Sequence, residues 1–455
     1  MSAVLTTAPT CILMPGDPGW DDGRQAWNLA VDQHPAAVAR PWSAQDVADV
    51  VRFARQHGLR VAAQGPGHHP APLGSLAGTI LVKTAAMRRV TVDPEAKTAR
   101  AEAGAVWGDV VEAAAPHGLA ALAGSAPGVG VAGYTVGGGI SWLSRAYGLA
   151  ANNVEAIEVV TADGRIVRAD ACTEPDLFWA LRGGGGSFGV VTAVELRLFP
   201  IAEVYAGLLW WPADAALPVL QAWRELTQGD LPKEFTSAAR LMNFPMVPDI
   251  PEHLRGRSFV IVTVVHLGTK AEADALLAPL RALEPVTDTV QVIPAKALGH
   301  VHMDPGQPIA SVGDGLMLAS LPAEAIEALV HVAGPDTLLL AAELIHLGGE
   351  MKRARPAGGA LPAIDADYAL FSAGLAPCPR AAAAVARNVA AVQAAMRPWA
   401  ARQMYLNFAE THRDPATFWP PRAYDRLRRI KTAVDPGDLI RSNHPIPPYH
   451  EGTSS

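Results

Sequence analysis

Apolar and polar positions follow two rhythms along this chain, and the change between them divides it. In "SAQDVADVVRFARQHG" Val47, Val50, Val51 and Ala54 recur three and four apart, which predicts an amphipathic helix with Ser43 as N-cap and Gly58 just past its end. "LRVAAQ" then predicts a short buried strand that runs into the loop "GPGHHPAPLG". The order recurs as a helix in "WGDVVEAAAPHG", an apolar run in "LAALAG" and a Gly/Pro loop in "SAPGVG". Two similar units follow, too short and too distant for a solenoid, each delivering a glycine-rich loop at a strand end.

"VEAIEVVTADGRIVRAD" predicts a hairpin turning at Asp163-Gly164 through a type I′ pair. "TEPDLFWALRGGGG" predicts a helix with Thr173 as N-cap and Pro175 in its first turn, ended by four glycines, and "FGVVTAVELRLFP" a strand. From about residue 201 the glycine-rich loops fade. "FVIVTVVHLG" and "LLLAAELIHLG" predict strands among the helical stretches "AEADALLAPLRAL", "LPAEAIEALVHVA" and "RAAAAVARNVAAVQAAM". "MYLNF" predicts a strand, "PRAYDRLRRIKTAVDP" a helix and "DLIRSNHPIPP" an extended segment; the tail "YHEGTSS" reads as loose.

Half of the 455 residues are hydrophobic and 18% are charged, the balance of a globular chain long enough for two or three domains. A net charge of -7 without a Lys/Arg run leaves no footprint for nucleic acid or an anionic membrane, so a small molecule is the expected partner. Cys11, Cys172 and Cys378 lie too far apart for a zinc cluster and are too few for a disulfide scaffold, which suits a reduced cytoplasm. No secretion signal and no membrane span are read, and the expected location is cytoplasmic.

Candidate chemistry lies in the glycines. Gly128, Gly130 and Gly133 have dinucleotide-fingerprint spacing, but Gly137 to Gly139 fall where the binding helix should run, so the fingerprint fails its context. Glycines there instead let backbone N–H groups approach a phosphate or a flat ring. Three such loops, at 64–74, 124–139 and 183–189, call for a large extended cofactor. "GHVHMD", with His300, His302 and Asp304, has a metal-like look without a further clustered ligand; it reads as a loop, and no metal is assigned.

Taken together, "QGPGHH", "VGVAGYTVGGGISWLSRAYGLAANNV", "LRGGGGSFGVVT", "YLNF" and "DPGDLIRSNHPI" resemble the FAD-linked oxidases of the vanillyl-alcohol oxidase / p-cresol methylhydroxylase superfamily, in its berberine-bridge-enzyme-like form, over most of the chain. The resemblance implies an α+β fold. A two-part FAD-binding domain, 1–200 with a returning segment 405–455, would enclose a substrate domain at 201–404 built on an antiparallel sheet. It implies FAD bonded through its 8α-methyl to His68. Gly65, Pro66, Gly67, His69, Ala126, Pro127, Val129, Gly130, Gly133, Tyr134, Gly138, Gly139, Asn153, Gly189, Val190, Val191, Asn407 and Asn443 would surround it. Ala126 stands where many relatives carry a second, cysteine tether, which implies a single link. Val129 resembles the residue that lets oxygen reach the reduced flavin.

The implied activity is hydride transfer from an activated C–H of a small organic substrate to FAD, with O2 as acceptor and H2O2 as product. Phe408 and about Ala369 occupy the positions of the family's usual tyrosine and glutamate bases. Tyr405, Tyr368 and His346 are the substitutes within reach, each readable equally as a core side chain. That departure keeps two other readings open: a flavin-dependent cyclisation or other non-oxidative step in specialised metabolism, and a flavin-binding protein without turnover. No motif in 201–404 encodes a substrate, and none an oligomeric state.

Overall fold

The computed structural model, which describes residues 8–248 and 250–449, resolves these rhythms into three sheets. The tail beyond Tyr449 lies outside the described residues. The first sheet runs Ile12–Leu13, Ala37–Ala39, Thr79–Lys83, Arg60–Gln64, Ile440–Arg441, and is parallel except at its first pair. Helix Ala44–Gln56 lays Val47, Val50, Val51 and Ala54 into the core beside it. The Ser43 side chain accepts from the Asp46 N–H at its start, and Gly58 takes φ +66 beyond its end.

The second sheet is antiparallel: Val90–Asp93, Thr98–Glu102, Val190–Arg197, Val154–Val160, Ile166–Ala169. Four local expectations are corrected in and around these two sheets. Among residues 161–165 only Gly164 has positive φ, with Gly164 N–H bonded to Thr161 O and Thr161 N–H to Arg165 O, so the hairpin turns through a type I turn with a bulge glycine. Helix Pro175–Leu181 is preceded by Glu174 at φ 48, while Thr173 donates its N–H to the Asp170 carboxylate instead of capping. The run after His117-Gly118 makes a lone bridge, Ala120 to Phe199, rather than a strand. Leu406–Phe408 is a 3-10 turn and no strand, because Phe408 N–H folds back to Tyr405 O.

The third sheet orders Thr287–Asp288, Glu203–Pro212, Ser258–His266, Phe235–Asn243, Ala341–His346, Tyr368–Leu375 and Ser311–Leu318, with Gln291–Pro294 beside the second strand. All its pairings are antiparallel. Helices Ala216–Gln228, Lys270–Arg281, Ala323–Val332 and Pro379–Met396 cover one face through a core that includes Trp211, Trp223, Phe235 and Leu344. Side chains alternate across a strand, so residues one step out of phase turn to the other face. That second face looks towards the first two sheets.

The C-terminal segment closes the arrangement. Ile440 pairs with Val61, and the fully buried Lys431 donates to Asp435, Ser187 O (2.9 Å) and Ile440 O (3.1 Å). An ammonium with three acceptors stays satisfied out of water, and it fixes the chain end against the strand that delivers His68.

Candidate active site

Between the glycine loops and the uncovered face of the eight-stranded sheet lies a cavity of about 510 Å³. Nine glycines line it: 65, 67, 124, 130, 133, 137, 185, 186 and 189. At Gly65, Gly133 and Gly186 a Cβ would meet nothing closer than 3.7 Å, so these positions leave backbone exposed to the cavity where a side chain would fill it. Gly137 is glycine for the opposite reason: a Cβ there would stand 1.9 Å from Asn407 Oδ1. Asn407 spends its amide on this loop, donating to Tyr134 O (3.0 Å) and the Tyr405 hydroxyl (3.2 Å), and that hydroxyl accepts from Gly139 N–H (2.8 Å). The "YLNF" turn is thus the clamp on the "GYTVGGG" loop.

His68 opens this wall. Burial holds its imidazole well below the ordinary value, at about 4, against a weaker pull from Asp304. It is therefore neutral at pH 7, with a lone pair available on one ring nitrogen. The Nε2 of His69 is bonded to Ala409 O at 2.7 Å, and Asn443 donates to His69 O. His444 also reaches Ala409 O (2.9 Å) and is held at about 4, chiefly by burial. Burial and then Asp314 push the Glu410 carboxyl up to about 8.

The opposite wall carries charge. Glu343 pairs in register with Arg240 on one side and Phe371 on the other, and both Glu343 and Phe371 line the cavity. His302 sits between two carboxylates, with Nε2 2.7 Å from Glu343 and Nδ1 2.7 Å from Asp304. Ser125 donates to the other oxygen of Asp304 at 2.7 Å, and Arg240 donates to His302 O at 3.1 Å. Burial opposes charge on His302, yet Glu343 and Asp304 lift it to about 9; burial likewise opposes charge on Asp304, which His302 nonetheless holds at about 2. An imidazolium donating both N–H groups to carboxylates results.

Of the residues expected around the cofactor, Gly65, Pro66, Gly67, His68, His69, Ala126, Val129, Gly130, Gly133, Tyr134, Gly189, Val191, Asn407 and Asn443 line the cavity. Five lie behind it. Val190 packs in the core of the first sheet, Asn153 donates to Tyr147 O and Leu149 O, and Pro127 O accepts from Gly108 N–H. Gly138 and Gly139 back onto Tyr405 and Tyr134. None of the three cysteines is among the lining residues.

The candidate bases separate in the same way. Tyr368 faces the helices, its hydroxyl 2.8 Å from Thr227, and is no part of the cavity wall. Tyr405 and His346 line the cavity, but neither is tuned as a base. Burial pushes the Tyr405 phenol up, and burial with the neighbouring Arg145 holds His346 at about 3. Ala369 is buried in the core, and Phe371 is the cavity-facing residue of its strand. Glu343 went unread in the sequence, although a lone carboxylate inside the apolar run "LLLAAELIHLG" was its signal. "GHVHMD" is more than a loop: His300 lies in the short helix Leu298–Val301, and His302 is buried at the centre of the ion cluster.

A glycine cradle facing an antiparallel sheet, with a neutral histidine at the rim, fits a large extended cofactor laid against backbone. Sequence comparison agrees: residues 35–170 match the FAD binding domain family, and 404–447 the berberine and berberine-like family. The chain thus carries an FAD binding domain and a berberine-like C-terminal domain, and it is similar to the FAD-linked proteins of the vanillyl-alcohol oxidase / p-cresol methylhydroxylase superfamily in their berberine-bridge-enzyme-like form. It is 33% identical over 289 residues to (R)-6-hydroxynicotine oxidase of Paenarthrobacter nicotinovorans, covering 62% of this chain and 60% of that one. It is 26% identical over 449 residues, 95% of each chain, to an FAD-linked oxidoreductase of Bacillus subtilis. Several curated relatives are matched over less than two thirds of their length. The crystal structure of 6-hydroxy-D-nicotine oxidase from Arthrobacter nicotinovorans superposes with a TM-score of 0.83 at 26% identity, over 96% of this chain and 98% of that one. Berberine bridge enzyme from Eschscholzia californica shares the fold, with a TM-score of 0.82 at 20% identity over 98% of each chain. Among the described residues no helix is long and apolar enough to cross a membrane.

Proposed function

We propose that this protein is an FAD-dependent oxidase that removes two electrons and two protons from a small organic substrate bearing an activated C–H. The observation that carries it is one cavity whose first wall is a backbone cradle and whose second wall holds an ionised proton-handling cluster. The domain division at 201 and 404 belongs to this reading, since every strand of the third sheet falls between those bounds.

FAD, when bound, supplies a two-electron acceptor whose reduced form O2 reoxidises to give H2O2. The loops around Gly65, Gly130 and Gly186 would hold it, and His68 would tether it through one nitrogen. Val129 lines the same wall and, by the family resemblance, would admit oxygen to the reduced flavin. The substrate would lie against Thr236, Glu343, Ile345 and Phe371.

Glu343 accepts the substrate's O–H or N–H proton as the C–H bond gives up its hydride. His302 holds that carboxylate in one orientation, and Asp304 balances its charge. This replaces Tyr405 and His346 as the base, because a phenol shifted up and an imidazole shifted down to about 3 both disfavour the required proton transfer at pH 7.

The test is an absorption spectrum of the purified protein, acid precipitation, and a peroxide screen over alcohols, amines and hydroxylated aromatics. Expected are a flavin spectrum, colour retained in the pellet, its loss in His68→Ala, and peroxide formed stoichiometrically with product. Turnover without peroxide would put the cyclisation reading in its place. Absence of flavin after reconstitution with FAD would sink both.

A further inference from the structure

Trp27 lies outside every motif, yet its indole stacks on His68 with ring centroids 4.2 Å apart and planes 19° from parallel. Among the described residues neither ring nitrogen of His68 has a hydrogen-bond partner, and the half-buried ring borders the cavity, so no polar contact fixes its orientation. The loop that carries it is glycine and proline, with Gly67 at φ +88, so the local chain does not fix the ring either.

The Trp27 segment supplies what the loop lacks. Trp27 N–H donates to Pro66 O at 2.9 Å and Asn28 N–H to Gly67 O at 3.2 Å, so two rungs hold the backbone just before His68. Asn28 is braced in turn on the third sheet: its amide donates to Ser311 O (3.1 Å) and its carbonyl accepts from Ser311 N–H (3.2 Å).

We propose that Trp27 is a positioning residue for flavin attachment, its indole face setting the plane of the His68 imidazole so that a ring nitrogen points at the flavin's 8α-carbon. This rests on the tether reading above. In the step, an N–C bond forms, the imidazole N–H and one 8α C–H are given up as protons, and their electron pair passes through the isoalloxazine to O2, which leaves as H2O2. Bond formation of this kind falls steeply when reacting atoms are misplaced by about 1 Å, so loss of the stack should slow attachment at least about tenfold.

The experiment uses full-length protein made under riboflavin depletion and then given FAD. Total bound flavin is read from the absorption spectrum, and the attached fraction from acid-precipitated pellets over time. Trp27→Phe keeps an aromatic face and is expected to attach at the wild-type rate. Trp27→Leu and Trp27→Met keep bulk without the face and are expected to bind FAD but attach it at least about tenfold more slowly; either serves if the other misfolds. His68→Ala, binding FAD and attaching none, is the control. If Leu or Met variants attach at the wild-type rate, the role of Trp27 is refuted while the tether stands. If wild-type flavin leaves with the acid supernatant, the tether fails and this inference with it.

Discussion

The cradle wall and the sheet wall of the cavity are made of opposite materials. Residues 64–69, 124–137 and 185–189 present glycine backbone and the neutral His68, while the sheet presents Glu343 and, beside it, the His302–Asp304 pair. A cofactor common to a whole family can be met by backbone, whose donors depend on glycine spacing along one stretch of chain. A particular substrate has to be met by side chains, which can arrive from anywhere. Substitutions on the two walls should therefore fail in different ways, flavin occupancy on one and flavin reduction on the other.

The largest effect is expected for Glu343→Gln. Glutamine keeps the shape and cannot accept the proton, so anaerobic reduction of the flavin by a substrate found in the peroxide screen should slow by about 10²- to 10⁴-fold. Bound flavin and the rate at which photoreduced flavin is reoxidised by O2 should stay as in the wild type. Unchanged substrate-driven reduction would remove Glu343 from the chemistry.

The buried ionisable groups also predict two pH limbs of stability in the flavin-free protein. His302, raised to about 9 from an ordinary 6.5, contributes stability that is full below pH 6.5 and is lost as pH rises through 9, up to about 3 kcal/mol. His68, His346 and His444 are depressed to about 4, 3 and 4, so their contribution is full above pH 6.5 and is lost as pH falls towards 4. Glu410, raised from 4.5 to about 8 chiefly by burial, likewise loses its contribution as pH rises from 4.5 through 8, so urea denaturation should show stability falling on both the acid and the alkaline side. His302→Gln should make the alkaline limb alone shallower, chiefly between pH 6.5 and 9, and a parallel loss of both limbs would break the assignment of His302 to that limb.

The asymmetry also decided what could be read from sequence. The glycine loops, His68 and the place of Asn407 in the cavity wall are legible because each lies within its own motif; the clamp that Asn407 forms on Tyr134 O, 273 positions away, is not. The helix at 44–56 and the strands at 258–266 and 341–346 were legible because their periodicity is local. Glu343, His302, Asp304 and Arg240 were not, since pairing Arg240 with Glu343 takes a strand register across 103 positions of sequence, and periodicity cannot supply it. Tyr368 illustrates the same gap: it and Phe371 share a strand, and only the face each turns to separates a core phenol from a cavity wall.

Gly137→Ala should act on the cradle without touching the sheet. Its Cβ would force Asn407 off Tyr134 O and the Tyr405 hydroxyl, costing about 1–3 kcal/mol. FAD affinity, followed by fluorescence titration, should weaken along with it. A variant that melts earlier yet binds FAD as before would show that the clamp serves the fold and not the cofactor.

The smallest effect is expected where the sheet turns from the cavity. The Thr227 hydroxyl donates to Arg224 O at 3.0 Å, so it is Tyr368 that donates to Thr227 across 2.8 Å. Tyr368→Phe removes one donor and leaves Thr227 still paired, so no buried group is orphaned and the cost should be about 1 kcal/mol. Flavin content and substrate-driven reduction should match the wild type, because the Tyr368 hydroxyl is turned from the cavity to Thr227, among Trp223 and the covering helices. A fall in reduction rate of more than about tenfold at unchanged stability would mean that the two faces of the sheet are coupled. The proton acceptor would then have to be sought through the strand 368–375 rather than on its surface.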